Sequence, residues 1–172
     1  MKLRDLLILE ARLAEEKDNV ERLRDTLQAK GFWATAPQEI SLRQADEFTL
    51  RALASVILDY YTAIENMFEE IAKVVDGSLP SGEEWHKDLL RQMKLDINGI
   101  RPAVITRETF TFLDEYRKFR HLVRNIYGFN LLPERLEPLL TRLPAVDRRL
   151  AGEIDGFIKK MYAIIRGSVP VE

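Results

Sequence analysis

The chain has 172 residues, 46% hydrophobic and 31% charged, with a formal net charge of −2. That length and balance predict one globular domain over 1–172 with a sizeable core, and exclude a disordered chain or a broadly basic nucleic-acid surface, though not a local basic patch. Cysteine is absent and the only histidines are His86 and His121, which removes disulfides and thiolate sites and makes a histidine-built metal centre improbable, so no metal or other cofactor is expected.

The first element is a helix over 3–30. Leu6, Leu13, Val20 and Leu27 recur every seven residues, Leu9 and Leu23 fill the offset positions, and Gly31 supplies a stop. Such heptads serve either core packing or a coiled-coil contact with a partner, and packing is the simpler account. Charge interrupts "MKLRDLLILEARLAEE" throughout, unlike a signal peptide, and no run approaches the roughly 18 apolar residues that span a bilayer. A cytoplasmic protein without membrane association is therefore expected.

After the turn "GFWATAPQE", Ser41 is a candidate cap for a second long helix to about Val75. Leu53, Ile57, Tyr60, Ile64, Met67, Ile71 and Val74 follow 3–4 spacing, and Val56, Tyr61 and Phe68 widen the stripe, as suits a helix in the middle of a bundle. "DGSLPSG" breaks the chain. Ser81 and Glu84 form a capping-box pattern before a short helix, "EEWHKDLLRQM". "DINGIRPAV" reads as a loop. Thr106 or a neighbour opens the next helix, to about Tyr127, stopped by Gly128. Pro133 suits a helix start, and Pro138 and Pro144 predict a short helix, a bend and a final helix near 145–166. No β-alternating run or repeat is present. The fold class is all-α: an antiparallel bundle of four main helices with one or two short ones.

The chemistry concentrates in "FRHLVRNIYGFNL", residues 119–131. At roughly 100° per residue, Phe112, Tyr116, Phe119, Leu122, Val123 and Ile126 share a core face. Arg117, Arg120 and Arg124 lie opposite, with His121 and Asn125 continuing the polar arc, so the basic residues are expected to point away from the core. A solvated helix end is one reading, since cations are favoured near a helix C-terminus. A site for RNA is the other, because guanidinium forks match phosphate oxygens and rings stack on unpaired bases. Elsewhere, Glu65 sits among apolar neighbours and either orients an arginine of this helix or is an exposed carboxylate. His86, beside Trp85, is either a second polar group at the cleft or a packing histidine.

These residues resemble the signature helix of HEPN proteins, specifically the HepT-like ribonuclease toxins. "DYYTAIENMFEEIA" (59–72) is similar to the family's second-helix segment, and "EWHKDLLRQM" followed by "IRPAVIT" resembles a HepT-like subgroup. The similarity covers about residues 45–135. Arg120 matches the motif arginine, His121 the polar residue after it, and Tyr127 the tyrosine, while Asn125 stands where a histidine is expected. The resemblance implies a metal-independent endoribonuclease in which a ribose 2′-hydroxyl attacks the adjacent phosphate, with Arg120, His121 and Asn125 at the catalytic position and Arg117, Arg120 and Arg124 holding phosphate. It also implies a homodimer whose two motifs meet, and a nucleotidyltransferase-type antitoxin that modifies Tyr127. Asparagine cannot carry a proton. Either His121 takes over across the dimer, or the module binds RNA or a protein partner through the basic stripe without cutting.

Overall fold

A computed structural model describes residues 1–33, 40–124 and 131–167. It contains five α-helices: α1 (Leu3–Ala29), α2 (Glu47–Ile71), α3 (Trp85–Met93), α4 (Arg107–Arg124) and α5 (Pro133–Gly167). No strand occurs among the described residues, and the one β-bridge joins Ile97 to Arg101. The protein is an all-α bundle of four long helices and one short one.

The heptad leucines of α1 are spent internally, for Leu6, Leu9, Leu13, Val20 and Leu27 are all buried in the core. α2 packs against all four other helices, which explains why its apolar stripe is so wide. α1 runs antiparallel to α5, with Lys17 paired to Asp155, Arg24 to Asp147, and the Tyr162 hydroxyl donating to Glu10. α4 is antiparallel to α5 as well, since Glu115 meets Arg142 and Glu108 meets Arg149.

Several boundaries depart from the sequence reading. α2 starts at Glu47 because the Asp46 carboxylate accepts the Thr49 N–H at 2.7 Å. Ser41 lies before that cap, in a segment tied to α5 by Leu42 N–H donating to Glu137 at 2.6 Å. α2 then widens into a π-helical turn, Ala72–Asp76, closed by Gly77 at φ 72°, a conformation that glycine reaches without strain. The Ser81 capping box does not form; α3 begins after Glu84, which makes no side-chain cap bond.

The largest correction concerns the C-terminal segment. Pro138 and Pro144 lie inside one continuous 35-residue helix, not at a bend between two. Each proline removes a backbone hydrogen bond, at a cost of roughly 3 kcal/mol. Burial on both sides of each offsets it: Leu136, Leu139, Leu140, Leu143, Val146 and Leu150 all face the core.

The loop after α3 also carries more than a loop's usual content. Arg101 is buried with its side chain at 0% exposure, and Asp76, at the end of the π turn, receives its Nε at 2.6 Å and its Nη2 at 2.8 Å. The same guanidinium donates to the carbonyls of Leu95, Gln92 and Pro102. Arg101 thus clamps the end of α2 to the chain following α3.

Candidate functional site

Three helices each supply one polar side chain to a partly buried cluster. Glu65 comes from the buried face of α2, His86 from the first turn of α3, and Arg120 from the last turns of α4. His86 Nδ1 lies 2.6 Å from Glu65 Oε1, and Arg120 Nη1 lies 3.2 Å from His86 Nε2. Arg120 Nη2 is 3.7 Å from Glu65 Oε2, an ion pair longer than a hydrogen bond. Burial differs across the three: side-chain exposure is 6% for Glu65, 16% for Arg120 and 25% for His86.

These contacts fix the histidine's tautomer. Arginine N–H groups only donate, so His86 Nε2 must accept, and its proton therefore sits on Nδ1 and is donated to Glu65. The Trp85 ring lies against the imidazole with centroids 3.6 Å apart and planes 31° apart. One ring nitrogen is thereby anchored to a buried carboxylate. The other faces the guanidinium.

Arg117 donates to Asp114 at 2.7 Å, and Lys118 pairs with the same carboxylate at 2.7 Å. Burial raises the Asp114 carboxyl, but the bonds from Lys118 and Arg117 outweigh it and hold it below the ordinary aspartate range. Tyr61 is buried beside the cluster, and burial, then the charge of Glu65, keeps its hydroxyl protonated against the opposing pull of Arg117 and Arg120.

The basic stripe expected from the helical wheel is divided. Arg124 and His121 are exposed, as that reading has it, whereas Arg117 and Arg120 are half-buried and do not point away from the core. The physical reason for Arg120 is the carboxylate of Glu65 on the neighbouring helix, which a wheel of α4 alone does not contain. Of the two readings of Glu65, the structure shows the arginine-facing one. His86 shows both of its readings at once, stacked on Trp85 and bonded in the cluster. Asn125 and Tyr127, together with the Gly128 stop and Ile126, lie outside the described residues. Asp114 and Tyr61 were missed as neighbours of the site; the three-residue spacing of Asp114 and Arg117 was the available signal.

Among the described residues, no group of three or more His, Cys, Asp or Glu side chains is arranged to hold a metal ion, and no helix is long and apolar enough to cross a membrane.

A helical bundle with a polar cluster built on its fourth helix defines the class: an all-α module of the HEPN type. Residues 52–161, more than half of the chain, match the family model described as HepT-like protein, and the chain belongs to that family. No curated protein and no solved structure matches it.

Proposed function

We propose that this protein is a HepT-like toxin acting as a metal-independent endoribonuclease, with the cluster between α2, α3 and α4 as its RNA site. One observation carries the reading: Arg120 is held half-buried by Glu65 and His86 in a fixed orientation where α2, α3 and α4 meet. A guanidinium fixed in this way meets a phosphate without first losing side-chain freedom, and it stabilises charge that develops there during attack by the 2′-hydroxyl. The 3.7 Å contact to Glu65 does not saturate its donor fork. Arg117 and the exposed Arg124 continue the same helix and extend the phosphate path. The reading includes a homodimer in which two copies of α4 approach one another, and a nucleotidyltransferase-type antitoxin acting on Tyr127 in the cytoplasm.

Asparagine at position 125, where the family pattern has a histidine, favours a second reading: a HEPN module that binds RNA or a protein partner and does not cut. Purified wild type and Arg120→Ala, incubated with single-stranded RNA without divalent metal, separate the two. Cleavage by the wild type that falls roughly 10²–10³-fold in the variant supports the first. Wild type that binds RNA and leaves it intact supports the second. Light scattering on the same samples reads the dimer, and a monomer that still cuts removes it from the proposal.

A further inference from the structure

The motif position that should carry a proton is occupied by Asn125, yet a histidine reaches the motif arginine from another helix. His86, 34 residues before Arg120, presents Nε2 to the Arg120 guanidinium at 3.2 Å while Glu65 holds its Nδ1 at 2.6 Å. We propose that His86 is the catalytic base of this site, taking the proton from the attacking ribose 2′-hydroxyl. The proposal rests on the reading of the cluster as an RNA-cutting site.

Three features suit the imidazole to that step. The Nδ1 proton is committed to a buried carboxylate, so the lone pair that can accept a proton is on Nε2, the nitrogen facing Arg120. The ring plane is fixed between the Glu65 bond and the Trp85 face. Glu65 is positioned to stabilise the imidazolium that forms, the part a carboxylate plays behind a histidine base in hydrolytic triads.

The resting cluster has Nε2 occupied by an Arg120 N–H. A phosphate offers that guanidinium two anionic oxygens, a stronger partner than a neutral imidazole nitrogen. Substrate therefore draws Arg120 onto the phosphate and uncovers the base beside the bond to be broken. His86 Nε2 then accepts the 2′-hydroxyl proton as the 2′-oxygen bonds to phosphorus. The bond from phosphorus to the 5′-oxygen breaks, and that oxygen takes a proton from water. The products are a 2′,3′-cyclic phosphate and a 5′-hydroxyl, and the imidazolium returns its proton to solvent. No oxidant, reductant or co-reactant is consumed.

The test uses the full chain and a single-stranded RNA labelled with a fluorophore, reading cleavage by gel and affinity by anisotropy. His86→Gln keeps a hydrogen-bonding side chain of similar reach that cannot cycle a proton. It should lower cleavage by roughly 10²–10⁴-fold while affinity stays within about threefold. Glu65→Gln should slow cleavage by itself, and the losses of Glu65→Gln and His86→Gln should combine less than additively in the double variant, because the carboxylate acts in part through the histidine and in part on Arg120 directly. Cleavage by His86→Gln at the wild-type rate overturns the assignment while leaving the ribonuclease reading intact. A loss of affinity that matches the loss of cleavage overturns it also, since His86 would then only hold the site together. Wild type that binds RNA without cutting it refutes both readings together.

Discussion

Replacing Asp76 with alanine leaves a buried arginine without its counter-charge, and the structure sets the size of the consequence. The Asp76 side chain is 5% exposed and that of Arg101 is 0% exposed, so neither can recruit bulk water after the change. Three hydrogen bonds end on the Asp76 carboxylate: two from Arg101, at 2.6 and 2.8 Å, and one from Gln92 at 2.6 Å. Breaking a buried pair by removing one partner costs roughly 3–5 kcal/mol, more than the pair itself contributes, because the remaining charge stays desolvated. For a domain of this size each kcal/mol moves the melting midpoint by roughly 2–4 °C, so Asp76→Ala should melt about 10 °C below the wild type. Thermal and urea unfolding followed by circular dichroism measure it directly. Asp76→Asn, which retains an acceptor, should fall between the two. The double variant Asp76→Ala with Arg101→Met should recover part of the loss, because it removes the stranded charge. A fall of less than about 3 °C for Asp76→Ala would refute the reasoning: Arg101 would then find water or another acceptor, and the clamp between α2 and the loop after α3 would not depend on the pair.

Two further expectations concern the core between α1, α2 and α5. The Tyr60 hydroxyl is buried without a hydrogen-bond partner among the described residues, so Tyr60→Phe should leave stability unchanged or raise it by about 1 kcal/mol in urea unfolding, and a loss larger than that would reveal a partner for the oxygen. Burial raises the Asp147 carboxyl above its ordinary range and outweighs the bond from Arg24 at 2.7 Å. The ionised form is therefore disfavoured in the folded chain at neutral pH, and that cost disappears as pH falls through the raised value. The stability of the wild type minus that of Asp147→Asn should accordingly rise between pH 7 and pH 4, and a flat or falling difference counts against the assignment.

The parts of this fold that were readable from the sequence are those set by one helix at a time. The period of Leu6, Leu13, Val20 and Leu27 locates α1 closely, and the stripe from Leu53 to Ile71 locates most of α2, because burying one face is a property of that segment's own pattern. The C-terminal helix was misread since proline rules weigh local hydrogen bonds, whereas its continuity comes from contacts that other helices supply on either side of Pro138 and Pro144. The Ser41 cap failed for a smaller reason: Asp46 offers a carboxylate nearer to the first apolar turn. The site was half legible. Arg120, Glu65 and His86 are each singled out by the sequence, but their meeting depends on which faces of α2, α3 and α4 pack together, His86 following Glu65 by 21 positions and Arg120 following His86 by 34. Arg101 lies in the "IRPAVIT" segment that carries part of the family resemblance, but its burial against Asp76 has no local sequence pattern, since it depends on how the end of α2 meets the chain after α3.

The contacts joining α1 to α5 bear on how the bundle finds its alignment. On α1, Glu10, Lys17 and Arg24 are seven residues apart, matching the spacing of the buried leucines beside them. Their partners Tyr162, Asp155 and Asp147 are spaced by seven and eight. An apolar stripe with that period is nearly indifferent to sliding by one heptad, since each leucine then meets another buried position. The polar rungs are not indifferent. Sliding α5 one way sets Glu10 against Asp155, like charge against like, and sliding it the other way sets Lys17 against the Tyr162 hydroxyl, with Arg24 against Asp155 as the single ion pair kept. The buried leucines hold α1 in the bundle, and the outer charges choose its register against α5.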